Sequence, residues 1–252
     1  MPLNRFKTQG KADRVPFQAV TSQRLYQQVA AQIADLVASG ELKPGDRLPA
    51  ERELSLRLGV SRPTVREAMI ALELAGLVEV RVGAGATVLA RPGGDRALMR
   101  LADAGAGPVE LVRARLVIEP EVAAEAARNA TPGQIAALNA TLDAMRAAPD
   151  SSAHRAIDRQ FHRLIAEATG NAVLATLVEG LWREMFSPLF ERMGRLSGLI
   201  PNEHTATLAQ HAAVAKAIAA HDPAAARAAM QAHLRAVERI IGGADIETGD
   251  AA

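Results

Sequence analysis

Apolar residues recur along most of the chain at the three- and four-residue spacing of amphipathic helices. The first such segment begins near Ser22 and stops at Gly40. Two shorter segments within 48–77 are separated by Gly59, which suits a left-handed helix cap because glycine has no Cβ to clash. Ser61 is a good N-cap for the second of them. The pattern therefore predicts two short helices joined by a tight turn.

The second short helix has two chemically different faces. The apolar stripe that should face a core consists of Val65, Ala68, Met69 and Leu72. Arg62, Thr64 and Arg66 lie off this stripe, near the N-terminus of the helix. This is the layout of a helix-turn-helix, whose second helix presents its first residues to the major groove of DNA. An ordinary helical hairpin with solvated arginines has the same features.

A β-hairpin is predicted directly after this motif. Strand-like apolar runs occupy 77–82 and 87–89, and the glycine-rich stretch 83–86 separates them. A helix-turn-helix followed by a two-stranded hairpin is a winged helix, so this flank favours DNA binding over an ordinary hairpin. We expect this domain to span 21–91, after a flexible arm of polar and basic residues over 1–20.

From residue 109 onward, every periodic segment is helical. The predicted helices cover 109–130, 132–147, 152–169, 172–193, 202–220 and 223–241. Pro188 should kink or interrupt the fourth of them. The expected fold is mainly α: a winged helix-turn-helix with a small β-hairpin wing, followed by a six- to seven-helix antiparallel bundle. This bundle should occupy 109–242, between a linker over 92–108 and a flexible tail over 243–252.

Composition and charge separate the two halves of the chain. Its 252 residues suit two domains, and the absence of cysteine fits a reducing cytoplasm. The sequence has neither a signal peptide nor an apolar run long enough to cross a membrane. Residues 1–92 carry 13 Lys and Arg against 9 Asp and Glu, whereas residues 93–252 carry 16 against 19. The basic first half is therefore the half expected to bind nucleic acid.

Histidines and one carboxylate are placed to meet inside the predicted bundle. Asp158 and His162 are four residues apart on one helix and border its apolar stripe. His211 and His233 each stand 11 residues from Asp222, the centre of the last predicted turn, so an antiparallel hairpin brings them to one level. Three imidazoles and a carboxylate make a plausible site for zinc, nickel, manganese or iron. Core or surface histidines without a metal remain the alternative.

The stretch ELKPGDRLPAERELSLRLGVSRPTVREAMIALELAGLVEVRVGAGATV resembles the DNA-binding domain of the GntR superfamily of bacterial transcription regulators. The resemblance implies DNA contacts by Arg52, Ser61, Arg62, Thr64, Arg66 and, at the wing tip, Gly83. Ala50 departs from the family pattern, which often has serine in a capping box with Glu53. Losing that hydroxyl should cost about 1 kcal/mol of helix stability.

The second half resembles the FadR-type C-terminal effector domain in its metal-binding version. The stretches that carry this resemblance are LVRARLVIEPEVAAEAA, DRQFHRLIAEATGN and HAAVAKAIAAHDPAAARAAMQAHL. The resemblance implies that one divalent metal ion, with zinc as the first choice, is bound by Asp158, His162, His211 and His233. It also implies effector contacts by Arg115 and Asn171. The alternatives are a surface pair of Arg115 with Glu119 and a plain cap residue at 171.

The expected function is that of a homodimeric repressor that binds a palindromic operator and is released by a small carboxylate. Residues 24–29 and 76–85 look most like regulators of hexuronate and related sugar-acid catabolism, so a sugar acid or hydroxy-acid is the expected effector. A metal-dependent hydrolase would use the same Asp and His residues, but no second acidic residue stands out as its general base. A third possibility is a DNA-binding dimer that responds to no effector.

Overall fold

The computed structural model of the protein describes residues 24–81, 85–89, 105–196 and 204–242. Several predicted features lie outside these residues: the arm over 1–20, Gly83 at the wing tip, the linker up to residue 104 and the tail over 243–252. In the described part of the chain, helices dominate and no helix is long and apolar enough to span a membrane.

The N-terminal part forms the predicted helix-turn-helix with its wing. Its elements are α1 (Leu25–Ala38), α2 (Glu51–Leu58), α3 (Arg62–Leu74), β1 (Val78–Arg81) and β2 (Gly85–Val88). Gly59 ends α2 with φ 65°, and the Ser61 side chain accepts a hydrogen bond from the Thr64 backbone N–H at the start of α3. The strands pair antiparallel with Val78 opposite Val88. Both caps and the hairpin are confirmed.

The core of this domain lies between α1 and α3. The predicted stripe Val65, Ala68, Met69 and Leu72 is buried, and Tyr26 and Val29 of α1 are buried with it in the same cluster. Ala50 occupies the N-cap position of α2 without a side-chain hydrogen bond, as expected for a residue that lacks a hydroxyl.

Seven described helices follow. They are α4 (Pro108–Asn129), α5 (Pro132–Arg146), α6 (Ser151–Ala168), α7 (Ala172–Glu184), α8 (Pro188–Leu196), α9 (His204–Ala219) and α10 (Pro223–Gly242). Pro188 does interrupt the predicted fourth helix, which becomes α7 and α8. The helix α4 is central, because it packs against α6, α7, α9 and α10. It also continues through the buried Pro120, which the periodicity did not single out.

The helix α3 reaches the helical bundle directly. The Arg192 guanidinium on α8 donates two hydrogen bonds, of 2.7 and 2.9 Å, to the Glu73 carboxylate on α3. Glu67, six residues earlier on α3, is buried and accepts a hydrogen bond of 2.8 Å from the Val109 backbone N–H at the start of α4. The helix predicted to read DNA is thus in contact with the helix at the centre of the bundle.

Candidate functional site

Three helices bring the four predicted metal ligands together in the bundle core. Asp158 and His162 come from α6, His211 from α9 and His233 from α10. His162 Nε2 lies 3.3 Å from His211 Nε2 and 3.4 Å from Asp158 Oδ1, and His211 Nε2 lies 3.1 Å from that same oxygen. The rings of His211 and His233 have centroids 4.5 Å apart. The three histidines are at most 2 % exposed.

The spacing of these donor atoms fits a bound metal ion. Ligand atoms that share one tetrahedral ion at about 2.0–2.2 Å stand about 3.3–3.6 Å apart. One ligand atom from each of the three histidines lies within 4.8 Å of the others. The buried Oδ1 of Asp158 lies close to the Nε2 atoms of His162 and His211, yet among the described residues it makes no hydrogen bond of ordinary geometry. Three imidazoles with a carboxylate form a donor set suited to zinc and its neighbours in the first transition row.

Burial and mutual contacts together set the protonation of Asp158, His211 and His233. Burial, reinforced by His211 and His162, holds the pKa of His233 well below its usual range. Burial also lowers the pKa of His211, against the opposing charge of Asp158. Burial alone would raise the pKa of Asp158, but the contacts with His211 and His162 outweigh it and keep that pKa well below its usual range. Neutral imidazole and ionised carboxylate are the forms that bind a metal ion.

A buried arginine and glutamate lie beside the cluster. Arg115 is 1 % exposed, and its guanidinium donates to both oxygens of Glu119, at 2.7 and 3.3 Å. Its Nη2 is 3.5 Å from each ring nitrogen of His162. Glu119 Oε2 lies 2.5 Å from His162 Nδ1. The pairing of Arg115 with Glu119 that the sequence offered as a surface alternative is therefore present, but in the core next to the histidines.

Glu119 was not among the predicted site residues. Burial would raise its pKa, but Arg115 and His162 outweigh burial and lower this pKa to about 2. Burial would lower the pKa of His162, but the charge of Glu119 and the contacts with Asp158 and Glu119 outweigh it and raise this pKa. The four-residue spacing from Arg115 was the available signal, because it places both side chains on one helix face.

Asn171 is not brought to this cluster. It is the N-cap of α7, where its side-chain oxygen accepts hydrogen bonds from the backbone N–H groups of Val173 and Leu174. Trp182, which does contact His162, lies 11 residues further along the same helix, roughly 16 Å along the axis. The structure therefore supports the cap alternative for Asn171, at the start of α7 instead of the end of α6.

The predicted DNA-contacting residues lie at the first turns of α2 and α3. Arg52 and Arg62 are exposed, and the Ser61 and Thr64 hydroxyls lie 2.7 Å apart. Arg66 donates to Glu51 through Nε at 3.0 Å and Nη2 at 2.7 Å. This pair joins the start of α2 to the first turns of α3. Sequence reasoning missed it, because the period of α3 says nothing about which carboxylate faces Arg66.

Comparison with known proteins agrees with this architecture. The family model described as "Bacterial regulatory proteins, gntR family" matches residues 25–88, and the model of the FCD domain matches residues 110–236. The "Uxu operon transcriptional regulator" of Escherichia coli K12 is 38% identical over 230 residues, which cover 88% of each chain.

Two further relatives from Escherichia coli K12 are also regulators. The "Exu regulon transcriptional regulator" is 36% identical over 223 residues, covering 84% of this chain and 82% of the other. The "Putative L-lactate dehydrogenase operon regulatory protein" is 33% identical over 222 residues, covering 85% of each. The protein is thus a transcription regulator and not an enzyme. The chain belongs to the GntR family of bacterial regulatory proteins, and its helical second half is an FCD domain.

Proposed function

We propose that this protein is a DNA-binding repressor whose affinity for its operator is controlled by a small carboxylate bound in the helical domain. The observation that carries the proposal is the buried cluster of Asp158, His162, His211 and His233 with Arg115 beside it. A structural core has no need for so many polar groups in one place, because each buried polar group must be compensated by a partner. The winged helix over 21–91 and the bundle over 109–242 are the two functional units.

A metal ion held by the four side chains would supply positive charge and open coordination positions for an acid. Arg115 has a separate role, since a guanidinium offers a carboxylate a planar fork of N–H donors. In the structure this fork is occupied by Glu119, which also holds His162. An effector acid would displace Glu119 from part of an arginine that is already oriented and fully buried, and this orientation lowers the entropic cost of binding the acid.

The names of the relatives suggest the class of acid. Regulators of Uxu, Exu and L-lactate dehydrogenase genes are among the similar proteins. From the resemblance to regulators of sugar-acid catabolism, we infer that a hexuronate-like sugar acid is the first effector to test and L-lactate the second. Both carry a carboxylate with hydroxyl groups nearby, a combination suited to chelation at a metal site.

On the DNA side, we propose base contacts by Arg62 and Arg66 and phosphate contacts by Arg52, Ser61 and Thr64. The Glu51 carboxylate holds Arg66 through Nε and Nη2. This pairing restricts the side chain before DNA arrives, so less rotamer entropy is lost when it contacts guanine. Gly83 would approach the backbone of the DNA from the wing. Acting on chromosomal DNA, the protein would work in the cytoplasm.

We further propose a homodimer, because a palindromic operator presents two half-sites to two recognition helices. Exposed apolar side chains available for contact with the second copy stand on α4 and α7: Val117, Val173 and Leu177 are exposed by 75%, 75% and 43%. Light scattering at micromolar concentration should give the mass of two chains, and a monomer would contradict this part of the proposal.

The central experiment measures operator binding with and without effector. The zinc-loaded protein is titrated onto the DNA upstream of its own gene, in the presence of D-glucuronate, D-galacturonate or L-lactate. We expect one of these acids to release the DNA. We also expect that acid to stop releasing the DNA once the metal has been chelated. Release that is unchanged by chelation would refute the role of the metal, and no release by any carboxylate would refute effector control.

A further inference from the structure

We propose that Trp182 is an effector-binding residue whose indole N–H donates a hydrogen bond to the acid in the proposed site. The inference rests on the proposed function, because it names a further side chain of the same site. Trp182 is the only tryptophan of the chain and is 2 % exposed on α7. Neither the family resemblance nor the spacing of the metal-binding residues points to it.

The contacts of the indole place it between the proposed metal ligands and Arg115, the proposed carboxylate-binding residue. Its ring centroid lies 4.8 Å from that of His162, with the two planes inclined by 38°. The Arg115 guanidinium carbon lies 4.3 Å from the centroid of the same indole ring. Trp182 therefore touches both a proposed metal ligand and the proposed carboxylate-binding arginine. An acid that spans these two groups would lie against the indole.

The indole nitrogen supplies the chemical argument. Among the described residues, the buried Nε1 of Trp182 has no hydrogen-bond partner. The indole N–H is a donor with no acceptor capacity, so only an acceptor atom satisfies it. Buried tryptophan N–H groups usually have a partner, and leaving one without any costs stability. A carboxylate or hydroxyl oxygen of the effector is the acceptor that this place in the bundle is built to receive.

The cation–π contact gives the indole a second role in the same site. Two hydrogen bonds hold the Arg115 guanidinium on Glu119, and its charge holds it against the indole face. If an acid displaces Glu119 from part of the guanidinium, the indole still restrains the arginine. Phenylalanine at position 182 would keep an aromatic face but remove the N–H, so the two roles are separable.

The test compares the wild type with Trp182→Phe and with Arg183→Gln, an exposed neighbour that controls for substitution on α7. Binding of D-glucuronate and of L-lactate to the zinc-loaded proteins is measured by calorimetry. Zinc content and the melting temperature are measured on the same samples. We expect Trp182→Phe to bind the acid about tenfold to a hundredfold more weakly, with unchanged zinc content, because one hydrogen bond to a charged acceptor is lost. Arg183→Gln should behave as the wild type.

Tryptophan fluorescence provides a second readout, since the whole signal comes from position 182. The emission of the wild type should change when the acid is added to the zinc-loaded protein. Equal acid affinity in the wild type and Trp182→Phe would overturn the inference and leave the proposed function intact. Loss of zinc from Trp182→Phe would also overturn it, by showing a structural role. A wild type that binds neither acid would instead refute the proposed effector site itself.

Discussion

Replacing Glu67 by glutamine should remove a pH-dependent cost from the contact between α3 and the helical bundle. Glu67 is 2 % exposed, and its Oε1 accepts the hydrogen bond from the Val109 backbone N–H. Burial raises the pKa of this carboxyl to about 7, the Val109 hydrogen bond opposes burial, and the charges of Glu110 and Arg113 act in opposite directions. The folded protein therefore disfavours the ionised form relative to the unfolded chain.

The sign and size of the effect follow from this pKa. A carboxyl whose pKa rises from 4.5 to about 7 on folding stabilises the fold fully below 4.5, and this contribution is lost as the pH rises through about 7. A tenfold change in proton affinity corresponds to about 1.4 kcal/mol, so the complete loss is about 3 kcal/mol. Between about pH 5.5 and about pH 8.5 the loss is about 2 kcal/mol. Glutamine stays neutral throughout and still offers an oxygen to Val109.

Urea unfolding of the wild type, Glu67→Gln and the exposed Glu41→Gln at these two pH values tests the reasoning. The free energy of unfolding of Glu67→Gln, minus that of the wild type, should increase by about 2 kcal/mol from the lower to the higher pH. Titration of the histidines is shared by both proteins and cancels in this difference. Glu41→Gln should track the wild type, because an exposed carboxylate keeps its hydration on folding. Parallel curves for Glu67→Gln and the wild type would refute the burial argument.

Four further predictions concern the proposed sites. His211→Ala should abolish the stabilisation by zinc, which in the wild type reaches about 3 kcal/mol at a hundredfold excess over Kd, and calorimetric melting with and without zinc measures this. Arg115→Lys should keep zinc but weaken acid binding about tenfold or more, because lysine lacks the fork; equal affinity by calorimetry would contradict the assignment. Arg62→Ala should cost about 1–3 kcal/mol on the operator and relax its preference at one guanine. Arg52→Ala should instead weaken all DNA alike and lower the salt slope by about one, as binding titrations at several salt concentrations would show.

Periodicity and helix caps were enough to predict the helices and strands and to predict that the histidines lie close together. The left-handed Gly59 and the Ser61 cap are local, so residue types alone specify them. His211 and His233 stand at equal distances from Asp222, and an antiparallel pair of helices converts equal distances into equal levels. This symmetry is a property of the chain and needs no knowledge of the packing. It agrees with ring centroids 4.5 Å apart.

Periodicity and caps could not predict which residue of a neighbouring helix each side chain contacts. Asn171 follows a glycine that ends α6, yet its side chain serves the next helix, because its oxygen faces the first N–H groups of α7. In the sequence, Trp182 is one more apolar residue of α7. It contacts Arg115 only because α7 packs on α4. The sequence does not say whether Arg66 faces only DNA or also pairs with a carboxylate. It pairs with Glu51 because α2 packs close to the first turns of α3.

Glu67 is the most instructive of these residues. A charged residue beside the stripe of α3 is expected to be solvated, because the core of the winged helix covers only the stripe itself. It is buried because a second surface, the start of α4, covers it. A Cβ on Gly107 would lie 3.2 Å from Glu67 Oε2, tighter than most such contacts, so the absence of a side chain there allows the close approach. The contact depends on a glutamate and a glycine far apart in the sequence, and neither residue indicates it without the other.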